Sequence, residues 1–214
     1  MPEENTQTVI EPKPARYAFI DVPNTEGTVG VILGFAIDWH KLYHYLKEHW
    51  NCKKVFFYSG IRRGDDKRTD EYVELAKIGY DIHAKPYSFY KNRDQIIKIN
   101  CPKCAYEIDY KVTRGMRWKS NCDVVLSVDT ANLAKDGIEF LIFSGDGDFE
   151  YVIRNAVEKG VKVYIVSSGK KIKVAPRYSI SRFSTKLREL IAEKKDSVFY
   201  VDINLWKLKI KKDI

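Results

Sequence analysis

Three adjoining stretches, Glu139-Phe-Leu-Ile-Phe143, Ser144-Gly-Asp-Gly-Asp148 and Val161-Lys-Val-Tyr-Ile-Val166, decide the fold. The first and third are short, almost wholly apolar runs of strand length. Residues 148–159 between them read as a helix that Gly160 closes. Outward from this unit the same alternation recurs. Tyr17 to Asp21 is a short apolar run ending in a carboxylate, and Lys54-Val-Phe-Phe-Tyr58 is a second. Pro23, Asn24 and Gly27 read as a loop, and Ser59 to Asp66 as a turn-rich connection. Helices are predicted over 37–49 (Ile37, Leu42, Tyr45 and Leu46 near helical spacing), over 68–78 with Gly79 as the stop, over 123–134 and near 182–194, with a last strand near 198–201. Strands that alternate with helices imply an α/β domain built on a mainly parallel sheet covered on both faces. Residues 1–15 carry three prolines and read as a mobile lead-in, 16–204 as the domain, and 205–214 as a basic tail.

The 214 residues carry 37 Lys and Arg against 29 Asp and Glu, a net charge of +8, with 44% apolar content. That composition excludes a disordered chain, a collagen-like repeat and a disulfide-stapled mini-domain. No apolar run approaches a membrane span, and the first twenty residues lack the order of a signal peptide. A cytoplasmic protein without a membrane partner is therefore expected, with its four cysteines as thiols or metal ligands. The charge is uneven. Residues 162–214 hold 14 basic and 5 acidic residues, whereas the preceding 161 carry a net charge of −1. A basic quarter on a neutral body suggests a polyanion partner.

Ligands of open parallel sheets bind beyond the carboxyl ends of the strands. Asp21 ends the first strand, Asp146 and Asp148 follow the strand at 139–143, and Asp123 opens a predicted helix at a similar edge. Like charges gathered there repel unless a cation neutralises them. Mg²⁺ or Mn²⁺ would do so through oxygen ligands, and either could activate water against a phosphodiester. Taken singly, each acid has a plainer role. Asp123 and Asp148 could cap helices, and Asp21 could close a turn through Asn24.

The resemblance is specific at these residues. Phe19-Ile-Asp21-Val-Pro-Asn24 resembles the opening element of the NYN domain, a branch of the PIN-like nuclease superfamily. Lys119-Ser-Asn-Cys-Asp123 is similar to its central element, and Phe143-Ser-Gly-Asp-Gly-Asp-Phe149 to its S-G-D-x-D-F element. The resemblance implies a three-layer PIN-like sandwich and a metal-dependent endoribonuclease. Asp21, Asp123 and Asp146 would be its metal-binding acids and Asp148 a fourth catalytic acid, with Asn24, Ser144 and Asp129 supporting them. Where the family often has Gly after the first Asp, this chain has Val22-Pro23.

Residues 85–119 interrupt the pattern with nine basic residues, three acids, several aromatics and Cys101-Pro-Lys-Cys104. Alternation over 106–112 suggests a hairpin strand, so the segment reads as an inserted basic hairpin. The Cys pair resembles one knuckle of a zinc ribbon, which needs four ligands. Cys122, Cys52 or His83 could complete a zinc set only if folding brings them near, or a homodimer could pair two knuckles. His40, His44, His49 and His83 read as a group apart from the acids; His40 and His44 stand one turn apart, on what reads as a solvated helix face. Aromatics interleaved with Arg and Lys suit single-stranded or structured RNA. Arg117, Trp118, Lys119, Lys170, Lys171, Lys173, Arg177 and Arg182 are the expected contacts. Two other classes compete: an NYN module that binds RNA and cleaves poorly, and a phosphatase-like hydrolase. The latter would want Asp-x-Asp after the first strand, where this chain has Asp21-Val-Pro.

Overall fold

A computed structural model describes residues 14–213, apart from the side chain of Arg117. The expectation for residues 1–13 lies outside the described residues. In chain order the elements are β1 (Ala15–Asp21), α1 (Val22–Gly27), a π-helical turn (Thr28–Leu33), α2 (Trp39–Glu48), β2 (Cys52–Ile61), α3 (Asp66–Ile78) and β3 (Tyr80–Pro86). The chain continues through β4 (Ser88–Lys91), β5 (Gln95–Asn100), β6 (Glu107–Val112) and β7 (Met116–Lys119). Then follow α4 (Cys122–Leu133), β8 (Ile138–Phe143), a 3₁₀ turn (Gly147–Phe149), α5 (Glu150–Glu158) and β9 (Lys162–Ser167). Last come β10 (Ile172–Ala175), β11 (Tyr178–Ile180), α6 (Thr185–Glu193), β12 (Val198–Asp202) and α7 (Lys207–Ile210).

Six strands form one sheet in the order β12-β9-β8-β1-β2-β3, every pair parallel. Along β1 the side chains alternate. Ala18 and Ile20 enter one core with Leu42, Leu46, Phe57 and Trp206. Phe19 enters the other with Phe56, Leu126, Phe140, Ile153 and Leu187. Helices therefore cover both faces, as a sheet apolar on each side demands. Phe19 stands edge-on to Phe140 at 4.9 Å and stacks on Phe56 at 5.1 Å. α3 starts with the Asp65 carboxylate accepting from Arg68 N at 3.1 Å. It stops at Gly79, whose φ of 116° is strained for a side-chain-bearing residue.

Three local readings change. The loop predicted at 22–27 is helical, because Asp21 caps it and Pro23 sits in its first turn, where no N–H is required. The sixth strand, β3, had no prediction; only Tyr80 in it is buried, so it lacks an apolar run to announce it. Residues 205–213 pack on the body instead of trailing. Trp206 and Ile210 are buried, and Asp38 N donates to Ile210 O at 2.8 Å. Between β3 and α4 the chain leaves the sheet as two antiparallel ribbons, β4-β7 and β5-β6.

Phe140→Ala, which empties a fully buried ring site, is expected to destabilise the fold by about 3–5 kcal/mol in urea unfolding.

Candidate active site

The sheet order reverses around β1: the chain goes from it to β2 on one side and returns to β8 on the other. The crevice at the carboxyl ends of β1 and β8 is the switch point where ligands of such sheets bind. Asp21 lies there, last in β1 and only 8% exposed. Its Oδ1 accepts from Asn24 N at 3.3 Å and its Oδ2 from Ser144 Oγ at 3.0 Å. The same Ser144 oxygen accepts from Asp146 N at 3.1 Å, and Asp146 Oδ1 accepts from Asp148 N at 3.0 Å. Asp146 therefore caps the 3₁₀ turn Gly147–Phe149, while α5 begins after Phe149 with no side-chain cap, so neither Asp146 nor Asp148 caps it. Asn24 braces the crevice from α1, its Oδ1 accepting from Gly145 N at 3.0 Å.

Two contributors carry no motif. Thr25 Oγ1 lies 2.7 Å from Asp21 O and 3.1 Å from Phe143 O, binding the ends of β1 and β8 together. Residues 181–184 fold over the Ser144–Asp148 loop, with Ser184 N donating to Gly145 O at 2.9 Å. A Cβ on Gly145 would stand 1.9 Å from the Arg182 carbonyl oxygen, so only glycine permits that closeness. The signal in reach was Ser184, placed just before an amphipathic helix and capping Lys186 N.

Asp123 is the second residue of α4, not its cap; Asn121 holds that position without a side-chain bond. Burial pushes the Asp21 carboxyl up to about 7, and the fields of Asp123 and Asp146 add to the rise. Loss of hydration, then Asp146, also lifts Asp123, while Lys119 pulls it down. Among the described residues none of Asp21, Asp123, Asp146 and Asp148 forms an ion pair. A cluster of oxygen donors with a negative field and no protein cation fits a hard divalent ion. Among the described residues no three Asp, Glu, His or Cys groups already form a direct metal cage.

Two hollows flank the acids and share Asp148. One, of about 400 Å³, is lined by Asn24, Asp146, Arg182, Ser184 and Lys186. The other, of about 590 Å³, runs between α4 and α5 past Lys119, Asp123, Val124, Val128 and Tyr151. Arg182 and Lys119 are thus brought to the acids from opposite sides. Lys170, Lys171, Lys173 and Arg177 are exposed on and beside the β10-β11 hairpin, which follows β9 on the same sheet edge. Trp118 packs edge-on to Phe89 at 3.9 Å with Arg62 over its ring at 5.3 Å, so part of its surface is committed to the insertion. Arg117 lies on β7.

Asp129 is not among the strand-end acids. Tyr58 donates to it at 2.9 Å, and His83 Nδ1 stands 3.6 Å away. His83 therefore separates from His40, His44 and His49, which α2 and its end carry. His40 and His44 are exposed.

Fold and crevice together define a doubly covered parallel-sheet domain with an acidic switch point. The chain belongs to the NYN domain family, a PIN-like nuclease family, which is matched over residues 17–187. A solved protein of unknown function from Vibrio parahaemolyticus is similar at 20% identity and a TM-score of 0.54, covering 90% of this chain and 95% of that one. Phosphofructokinase-2 from Escherichia coli aligns over 73% of this chain and 54% of its own at 10% identity, with a TM-score of 0.35. Comparison with curated proteins gives no match.

Asp21 also makes a stability prediction. Its folded pKa of about 7 lies above the ordinary 3.8, so between those values the folded state holds more proton than the unfolded. Stability of the metal-free protein therefore falls as pH rises from about 4 to 7. Asp21→Asn removes that penalty, and at pH 8 in EDTA the variant is expected to melt roughly 2–10 °C above wild type. At pH 4 the difference should vanish in the same thermal scan.

Proposed function

We propose that this chain is a metal-dependent endoribonuclease acting in the cytoplasm on single-stranded segments of RNA. The observation that carries this is the buried Asp21 carboxylate, flanked by Asp123 and Asp146 and given no protein cation. These three side chains would hold Mg²⁺ or Mn²⁺, with Asp148 as a fourth acid at the rim. When bound, such an ion polarises the phosphodiester and lowers the pKa of an attacking water. Ser144 keeps Asp21 aimed into the crevice through its 3.0 Å bond. Asn24 and Thr25 hold the two strand ends at fixed separation. Lys119 on one side, with Arg182 and Lys186 on the other, would draw phosphates across the acids. The lysines and Arg177 of the β10-β11 region extend that track along the same edge.

The groove between α4 and α5 suits a nucleobase. Val124, Val128 and Tyr151 offer apolar surface that is 62%, 51% and 78% exposed. Ser127 and Asn155 add hydrogen-bonding groups to its lining. A base in a duplex is stacked away from such a groove, whereas an unpaired base can enter it.

Labelled single-stranded RNA should be cut in Mn²⁺ or Mg²⁺ and not in EDTA, with Asp146→Asn slower by about 10²-fold or more. Cleavage unchanged in EDTA or in that variant would overturn the metal chemistry. RNA retained by wild type under every metal condition, without cleavage, would instead identify a binding module. In a filter-binding titration Tyr151→Ala should weaken single-stranded RNA about 5- to 100-fold and leave duplex binding nearly unchanged.

A further inference from the structure

The insertion holds an apolar surface and a thiol pair that the proposed site does not use. In the β5-β6 ribbon Gln95 pairs with Val112, Ile97 with Tyr110 and Ile99 with Ile108. Strand periodicity puts these six side chains on one face. The intervening pairs, Ile96 with Lys111, Lys98 with Asp109 and Asn100 with Glu107, form the other. There the charges find partners within the insertion: Lys98 lies 2.5 Å from Glu107 and Lys111 lies 2.9 Å from Asp94. The apolar face has no such cover. Ile97, Ile99, Ile108 and Tyr110 are 40%, 46%, 49% and 57% exposed. A two-stranded ribbon alone in water is marginally stable, so that face calls for a partner.

At the ribbon's tip, Cys101 N donates to Tyr106 O and Ala105 N to Cys101 O, both at 2.9 Å. Ala105 takes the left-handed φ of 56°, which turns the chain tightly. Backbone N–H groups of Lys103 and Cys104 turn toward the Cys101 sulfur. Structural zinc takes four ligands, and the pair offers two. The other thiols of this chain are engaged elsewhere. Cys52 is buried at the start of β2, and Cys122 donates to Ser59 O at 3.0 Å. Among the described residues no His, Asp or Glu joins Cys101 and Cys104 to make a larger set.

We propose that a second copy of this chain completes the site: two β5-β6 ribbons pack apolar face to apolar face about a two-fold axis, and one Zn²⁺ is held by Cys101 and Cys104 of each copy. The number of missing ligands is the number a second copy supplies. The same contact covers Ile97, Ile99, Ile108 and Tyr110, and the charged outer faces stay in water. Closed two-fold symmetry makes such a contact self-limiting.

The test is light-scattering mass together with bound-zinc analysis of the full chain, kept reduced and loaded with zinc alone. The expected result is one zinc per two chains and a mass twice 24.9 kDa. The double variant Cys101→Ser/Cys104→Ser should lose the zinc and at least tenfold in dimer affinity. Ile99→Lys should also raise the monomer fraction while the helical circular-dichroism signal and melting of the body persist. A zinc-free chain, one zinc per monomer, or a dimer indifferent to both variants would overturn the proposal. Neither readout uses RNA, so failure here leaves the nuclease assignment untouched, and the reverse holds.

Discussion

A carboxylate held out of water is the constraint on which this molecule turns. Asp21 closes the strand that divides the sheet, and burial raises its pKa to about 7. A lone buried carboxylate is costly, and a fold sheds that cost by protonating it, pairing it or giving it a cation. No Lys or Arg pairs with Asp21 among the described residues. Its hydrogen bonds come instead from Ser144 and Asn24, whose own remaining bonds tie the β8 loop to α1. The geometry that protects the carboxylate is thus the geometry that opens the crevice. Asp123 and Asp146 then deepen the negative field from either side.

Around that crevice the basic residues are arranged by topology more than by contact. Because all six strands run parallel, every chain segment leaving a carboxyl end emerges on the same edge. The β10-β11 hairpin and the Ser181–Ser184 strap both follow β9, and the strap brings Arg182 beside the acids. Lys119 reaches the opposite side through the descent from β7 into α4. Part of the net charge of +8 therefore stands beside the acids, at Lys119 on one side and at Arg182 and Lys186 on the other.

Much of this was legible in the chain itself. Apolar runs of strand length fixed five of the six sheet strands; β1, β2, β8 and β9 carry several buried residues each, and β12 keeps the apolar run Val198-Phe-Tyr-Val201 although only Val198 is buried. β3 escaped because it is an edge strand with a polar sequence, and α1 because Pro23 reads as a loop until one asks what Asp21 caps. The three motif acids and their companions Asn24 and Ser144 do gather at one switch point. Asp129 does not, since its position along α4 points it at Tyr58 and His83. Thr25 and the groove beneath Tyr151 were out of reach, because the first acts through a contact to Phe143 118 residues away and the second arises between neighbouring helices; Ser184 was marked only by its place before α6. Cys122 was a candidate further zinc ligand by spacing, yet its first-turn position in α4 sends it into the core.

The central claim is that Asp21, Asp123 and Asp146 share a divalent cation. Counting bound Mn²⁺ by the loss of its free electron paramagnetic resonance signal tests it without RNA or turnover. Wild type at pH 8 should bind at least one ion, weakening as pH falls through about 7, where Asp21 takes up its proton. Asp21→Asn and Asp123→Asn should each weaken the binding about tenfold or more. Equal, pH-independent Mn²⁺ binding by wild type and both variants would contradict it.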